Sequence, residues 1–158
     1  MLDDERRCIA VRVQVGWGDC DPAGIVFYPR FYAWMDMSSH VLARAMGIPR
    51  EAMLPPNRDL LGFPVVATQA QYLLPARLED VLEVRTWVTR VGRSSLSLRH
   101  EVVRVGGGAD ELLVRGREDR VFIQHAADGT LQPREITPAM RGALAHYAES
   151  DSHGLSDP

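Results

Sequence analysis

Lysine is absent from this chain of 158 residues; all 18 of its basic side chains are arginine. Guanidinium forks suit phosphate, but arginine throughout reads more simply as codon bias than as a phosphate-binding surface. The basic excess of a nucleic-acid footprint is also missing, since the formal net charge is −3. Cysteine is scarce. Cys8 and Cys20 are the two present, so no disulfide framework is visible and a reduced, cytoplasmic setting is expected. No apolar run approaches the roughly 20 residues of a membrane span, and no membrane partner is expected. Met1-Leu2-Asp3-Asp4-Glu5-Arg6-Arg7 places charge where a signal peptide needs an apolar stretch. His40, His100, His125, His146 and His153 never fall at metal-ligand spacing with a second His or Cys, so no metal is expected. Gly106-Gly107-Gly108 lacks the Lys-Ser/Thr ending of a phosphate loop. No internal repeat or low-complexity segment is found.

Hydrophobic and charged fractions of 46% and 25% are ordinary for a globular protein. The length suits one domain, assigned to residues 1–149, with a polar disordered tail over 150–158. Residues 1–6 read as frayed. Val11, Val13, Val15 and Trp17 alternate with polar or small residues, a first strand over 7–17. Phe31, Trp34, Met35, Ser38, Val41, Leu42, Ala45 and Met46 recur at helical spacing, giving a long helix over 29–46 that Gly47 and Pro49 end. Residues 48–59, with three prolines, form a loop long enough for a lid or an interface. Four further strands are expected over 60–72, 81–91, 94–105 and 112–125. Pro64 near the start of the first of these marks an edge or a bulge. Thr137 caps a last helix with Pro138 at its first position and Ala139 to Glu149 filling it. One apolar helix followed by antiparallel strands makes an α+β architecture, with an antiparallel five-stranded sheet wrapped around the helix.

The chain is organised around Gly18-Asp19-Cys20-Asp21-Pro22-Ala23-Gly24-Ile25-Val26-Phe27-Tyr28-Pro29. Gly18 breaks the strand, and Asp21-Pro22 with Gly24 makes a loop. Pro29 opens the helix, where its missing N–H costs nothing. A carboxylate, Asp21, thus precedes a helix N-terminus whose nearest donors are the N–H groups of Tyr28 and Arg30. A carboxylate beside an oxyanion-type donor points to acyl chemistry.

That string, with Trp34-Met35-Asp36 downstream, closely resembles the 4-hydroxybenzoyl-CoA thioesterases of the hotdog-fold superfamily. The dense match covers residues 18–36, and a looser one continues to about Gln124. The resemblance implies the hotdog fold, hydrolysis of an aromatic acyl-CoA to free acid and CoA, and no cofactor, coenzyme A being part of the substrate. It also implies a homodimer with a continuous sheet and shared active sites, commonly paired into a homotetramer.

Each candidate residue carries two readings. Asp21 attacks the thioester or directs a water to it, as the resemblance implies, or it is a turn aspartate binding backbone N–H groups. Asp19 is read as a turn anchor beside it. The Tyr28 N–H polarises the carbonyl, and Gly24 gives close backbone approach to the ligand or simply makes the turn. Asp36, beside Tyr32 and off the apolar stripe, is a solvated helix residue or, by resemblance, contacts a ring hydroxyl. Phe63 and Pro64 line the acyl pocket from a partner subunit or pack the core. Arg90, Arg93 and Ser95 match a turn that holds CoA phosphates in the resembled enzymes. Val91 stands there in place of an aromatic, and Gly92 and Ser94 in place of basic residues; Arg99, Arg117 or Arg120 are candidates to replace the lost charge. Cys20 has no neighbouring His to make it a nucleophile. The competing functions are a short-chain aliphatic acyl-CoA or acyl-carrier-protein thioesterase, a non-catalytic acyl-CoA-binding protein, and a hotdog dehydratase, which lacks the expected His beside Asp21.

Overall fold

A computed structural model describes residues 7–48 and 62–149. Residues 1–6, most of the loop expected over 48–59, the first two residues of the strand expected from Leu60, and the expected tail lie outside the described residues. The elements are β1 (Ile9–Gln14), a single 3-10 turn (Trp17–Asp19), α1 (Pro29–Ala45), β2 (Val65–Tyr72), β3 (Val81–Val91), β4 (Ser95–Arg104), β5 (Glu111–Val121), β6 (Ile123–His125), β7 (Leu131–Pro133) and α2 (Pro138–Ala145).

The main sheet has strand order β1-β3-β4-β5-β2, and each neighbouring pair is antiparallel. The α+β expectation therefore holds, with α1 lying on one face of five strands. That face alternates with a charged outer one. Leu82, Val84 and Val88 on β3, and Leu96, Leu98 and Val102 on β4, are buried inward. Against them α1 buries Phe31, Trp34, Met35, Ser38, Ser39, Leu42 and Ala43, and each large apolar side chain so covered contributes about 2 kcal/mol. Gly116 on β5 faces the helix where it comes closest: a Cβ there would overlap the Met35 sulfur and lie 3.3 Å from His100 Cβ.

The helix ends as its sequence demands. Gly47 takes φ +78, and its N–H bonds Arg44 O at 3.0 Å while Ile48 N–H bonds Ala43 O at 3.0 Å, satisfying carbonyls that the helix itself leaves open. Thr137 caps α2 by accepting from Met140 N–H at 3.2 Å. β2 is one of the two edge strands, with a bulge between Val65 and Ala67 just after Pro64, as proline there requires.

Three expectations need correction. Trp17 does not continue β1; it is 83% exposed on the 3-10 turn, because Asp19 recruits the Gly16 N–H and bends the chain early. The strand over 112–125 breaks at Phe122, whose N–H bonds Ser94 O and whose carbonyl accepts from Arg134 N–H. The remainder, β6, pairs with β7 across the Asp128-Gly129 turn. Finally, α2 stops at Ala145. β1 reaches along β3 only to Thr86, so the next stretch of that edge is open, and Tyr147 O and Glu149 N–H bond Val88 there. Among the described residues no helix is long and apolar enough to cross a membrane.

Candidate active site

The Asp21 loop is held from both sides. Asp19 Oδ2 accepts from Gly16 N–H at 2.9 Å, Asp19 O accepts from Phe27 N–H at 2.8 Å, and Arg30 Nη2 donates to Gly18 O at 2.7 Å. Asp19 is the turn anchor the sequence suggested. Inside this frame Asp21 N–H bonds Ile25 O and Gly24 N–H bonds Asp21 O, both at 2.9 Å. Gly24 has φ +76, and a Cβ there would meet nothing within 4 Å. The backbone angle, not crowding within the chain, is what demands glycine.

Asp21 makes the bond of its simpler reading and keeps one oxygen unengaged. Its Oδ1 accepts from Ala23 N–H at 2.8 Å, the ordinary bond of an aspartate turn. Its Oδ2 has no hydrogen-bond partner among the described residues. The helix start leaves one donor of the expected two. Arg30 N–H is spent on Phe27 O and Phe31 N–H on Tyr28 O, and Pro29 has none. The Tyr28 N–H bonds no carbonyl among the described residues. It stands at the positive end of a helix of 17 residues.

Aromatic side chains surround this point. The Tyr72 ring, at the end of β2, lies edge-on to Tyr28 at 6.3 Å and to Phe31 at 5.7 Å. Burial, the hydrogen bond with Tyr32 and the neighbouring phenols push the Tyr72 hydroxyl up to about 12, so at neutral pH it stays a proton donor. Tyr28, Tyr32, Asp36 and His40 follow at four-residue intervals and share one stripe of α1, apart from the buried one. Opposite them runs β2, exposed from Val65 to Gln69.

Asp36 is not the solvated helix aspartate of the simpler reading. Its Oδ1 accepts from Arg120 Nη2 at 2.7 Å, with Asp36 49% exposed and Arg120 only 2%. Arg120 is pinned on its other sides. Nε donates to Glu118 Oε2 at 2.9 Å, Nη1 donates to Phe63 O at 3.1 Å, and the guanidinium lies 5.0 Å over the Phe63 ring. The same Glu118 oxygen accepts from Ser39 Oγ at 2.9 Å and lies 3.4 Å from His100 Nε2. His100 Nδ1 is 2.8 Å from Thr86 Oγ1, which is 2.7 Å from Ser38 Oγ. Burial pushes the Glu118 carboxyl up, but His100 and Arg120 overcome it and hold it down at about 2. Polar side chains thus follow one another across the core from Ser38 to the half-buried Asp36, with His100 Nε2 close to Glu118 but hydrogen-bonded to nothing among the described residues.

Several sequence expectations change here. Arg120 is committed to the core and is not free for a phosphate. Arg99 stacks on Trp87 at 4.3 Å and pairs with Glu101 and Glu149, so it too is occupied, while Arg117 stays exposed. Phe63 is 4% exposed and stacks on Phe122 at 5.4 Å, which is core packing; Pro64 is exposed. Arg90 Nη2 lies 3.4 Å from Ser95 Oγ, Arg93 faces Glu135 at 3.6 Å, and Arg141 Nη2 donates to Gly92 O at 2.6 Å, bracing their turn from α2. This turn is at the far end of β3 from the Asp21 loop, which joins the sheet at Val15, Ala76 and Asp80. Eleven residues of strand separate the two by about 30 Å. Tyr28, Tyr32 and Tyr72 meet at the start of α1, and Arg90, Arg93 and Ser95 lie apart from them and from the Asp21 loop.

The thioesterase superfamily model matches residues 23–111, which include α1 and most of the sheet. This chain belongs to the thioesterase superfamily. It is a thioester hydrolase with the hotdog fold. It is 35% identical over 117 residues to the 4-hydroxybenzoyl-CoA thioesterase of Pseudomonas sp. (strain CBS-3), covering 73% of this chain and 83% of that protein. The structure of a 4-hydroxybenzoyl-CoA thioesterase mutant complexed with 4-hydroxybenzoyl-CoA superposes with a TM-score of 0.77 at 31% identity, over 87% of this chain and 99% of that one. A gentisyl-coenzyme A thioesterase superposes at 0.70 and 29% identity, over 86% and 98%. The thioesterase resemblance of residues 18–36 is therefore shared by most of the chain.

Proposed function

We propose that this thioesterase hydrolyses an aromatic acyl-CoA of the 4-hydroxybenzoyl type to the free acid and CoA. Asp21 supplies the carboxylate that attacks the thioester carbon or draws a proton from the attacking water. The Tyr28 N–H takes the carbonyl oxygen as negative charge develops on it, with the α1 dipole behind it. The C–S bond breaks and CoA leaves as thiolate and takes up a proton; on the first route a water then cleaves the mixed anhydride left on Asp21, on the second the free acid forms directly, and no cofactor takes part. Gly24 sets the loop angle that aims Asp21.

The observation that carries this reading is the spacing along α1. Tyr28 and Asp36 are eight residues apart on one stripe, about 12 Å along the axis. A benzoyl group with a para substituent, roughly 6 Å from carbonyl to far oxygen, spans that length once a hydrogen bond of about 2.8 Å is added at each end. Tyr32 lies midway, where a ring packs well on an aromatic edge. Asp36 then accepts a hydrogen bond from the ring hydroxyl.

A shared site answers the separation of Arg90, Arg93 and Ser95 from Asp21. A partner's turn brought to the acyl site would offer its arginines to the CoA phosphates. β2 offers the means, with an unpaired edge and exposed Val65, Val66, Tyr72, Leu73 and Leu74, the kind of edge a second copy covers. A homodimer, paired into a homotetramer, is the assembly proposed. The test is CoA release from 4-hydroxybenzoyl-, benzoyl- and butyryl-CoA by the wild type and by Asp21→Asn. Aromatic thioesters are expected to be preferred, and Asp21→Asn to lose turnover by on the order of a thousandfold. Full activity in Asp21→Asn, or a preference for butyryl-CoA, would sink the reading.

A further inference from the structure

We infer that Arg120 is a positioning residue for substrate selection: it fixes the Asp36 carboxylate so that one oxygen is held and the other accepts a hydrogen bond from a donor at the far end of the acyl group. The inference rests on the aromatic acyl-CoA reading and deepens it, naming acyl groups that end in a hydroxyl or another hydrogen-bond donor as the class selected.

Burial makes Arg120 costly. An arginine that is 2% exposed loses its hydration and needs paired partners. One carboxylate, Glu118, is buried and meets that need through two nitrogens, at 2.9 and 2.8 Å. The Phe63 carbonyl takes a third nitrogen. A core needing only neutrality is complete at that point. Yet the guanidinium also reaches outward, and its Nη2 holds Asp36 Oδ1 at 2.7 Å. Three partners on separate elements, β5, the segment before β2 and α1, leave the fork one orientation. Through it Asp36, otherwise a free-swinging side chain on a half-buried stripe, is given a single one.

The consequence is chemical as well as geometric. A carboxylate paired with guanidinium is acceptor-only, and its Oδ2 has no partner among the described residues. A hydroxyl placed there is satisfied. A bare ring C–H leaves a desolvated carboxylate oxygen without a donor, and sites built to bind a hydroxyl reject analogues lacking one for this reason. Ser39 bonds Glu118 from behind and His100 packs 3.4 Å from it, so the anchor reaches into the packed core and does not yield with the surface.

The experiment is the ratio of kcat/KM for 4-hydroxybenzoyl-CoA to that for benzoyl-CoA, in the wild type, Arg120→Met, Arg120→Lys, Asp36→Asn and Asp36→Asn/Arg120→Met. Arg120→Met is expected to lower the ratio about tenfold, and to lower it no further once Asp36 is Asn. Arg120→Lys, which keeps the charge but not the planar fork that reaches all three partners, is expected to recover part of the ratio, and it carries the test if the methionine variant does not fold. A purely structural arginine would reduce both substrates in proportion; an unchanged ratio in a folded Arg120 variant therefore overturns the inference while the functional reading stands. A wild type that hydrolyses neither thioester, or both equally, overturns the reading of the acyl site and this inference with it.

Discussion

Replacing Glu118 with glutamine tests whether the buried chain of Ser39, His100, Glu118 and Arg120 is built on an ionised carboxylate. Glu118 is buried and its carboxyl is lowered from 4.5 to about 2, with burial opposing the shift and His100 and Arg120 producing it. Each unit is worth about 1.4 kcal/mol, so the ionised form stabilises the fold by about 3 kcal/mol at neutral pH. Breaking a buried ion pair from one side costs about 3–5 kcal/mol, the same order. For a chain of this size that lowers Tm by about 10 °C. The sign follows from the direction of the shift. The folded form binds its proton more weakly than the unfolded one, so the stabilisation is complete above the ordinary value near 4.5 and is lost as pH falls towards 2. Urea unfolding of wild type and Glu118→Gln from pH 7 to pH 2.5 should therefore show a gap that narrows through the acid range. A gap that is constant with pH, or below about 1 kcal/mol at pH 7, refutes an ionised Glu118 in the core.

Two further substitutions probe the placement of α1 and its loop. Gly116→Ala pushes a methyl into the Met35 sulfur, between two fully buried neighbours; overpacking there should cost about 1–3 kcal/mol, seen as a lower urea midpoint, and an equal or higher midpoint contradicts the close approach. Gly24→Ala meets no atom but must adopt φ +76; a loss of about 1–2 kcal/mol is expected, and thermal unfolding with no change would mean that the loop does not hold that angle.

What the sequence shows and what it hides divide along contact distance. The Asp21 loop, the Gly47 stop and the Thr137 cap rest on bonds between residues a few positions apart, and the prolines at α1 and β2 on the N–H each lacks, so local rules find them. Trp17 misleads for a related reason. Period two continues through it, but Asp19 bonds Gly16 N–H, and a three-residue turn overrides a pattern that carries no hydrogen bonds of its own. Arg120 and Asp36 are 84 positions apart, and nothing local joins them. One signal was present. Val114, Gly116, Glu118 and Arg120 occupy alternate positions of β5, so whichever face buries Val114 must also bury an acid and a base. Two charges on the inner face of a central strand are stable only when paired, and their pairing had to reach something else on that face. The helix offers Asp36 and Ser39 there. The alternation of β5, read together with the spacing of Tyr28, Tyr32 and Asp36 on α1, thus leads from the core to the acyl site: the residues that look misplaced in a strand are those that hold a side chain of the helix in position.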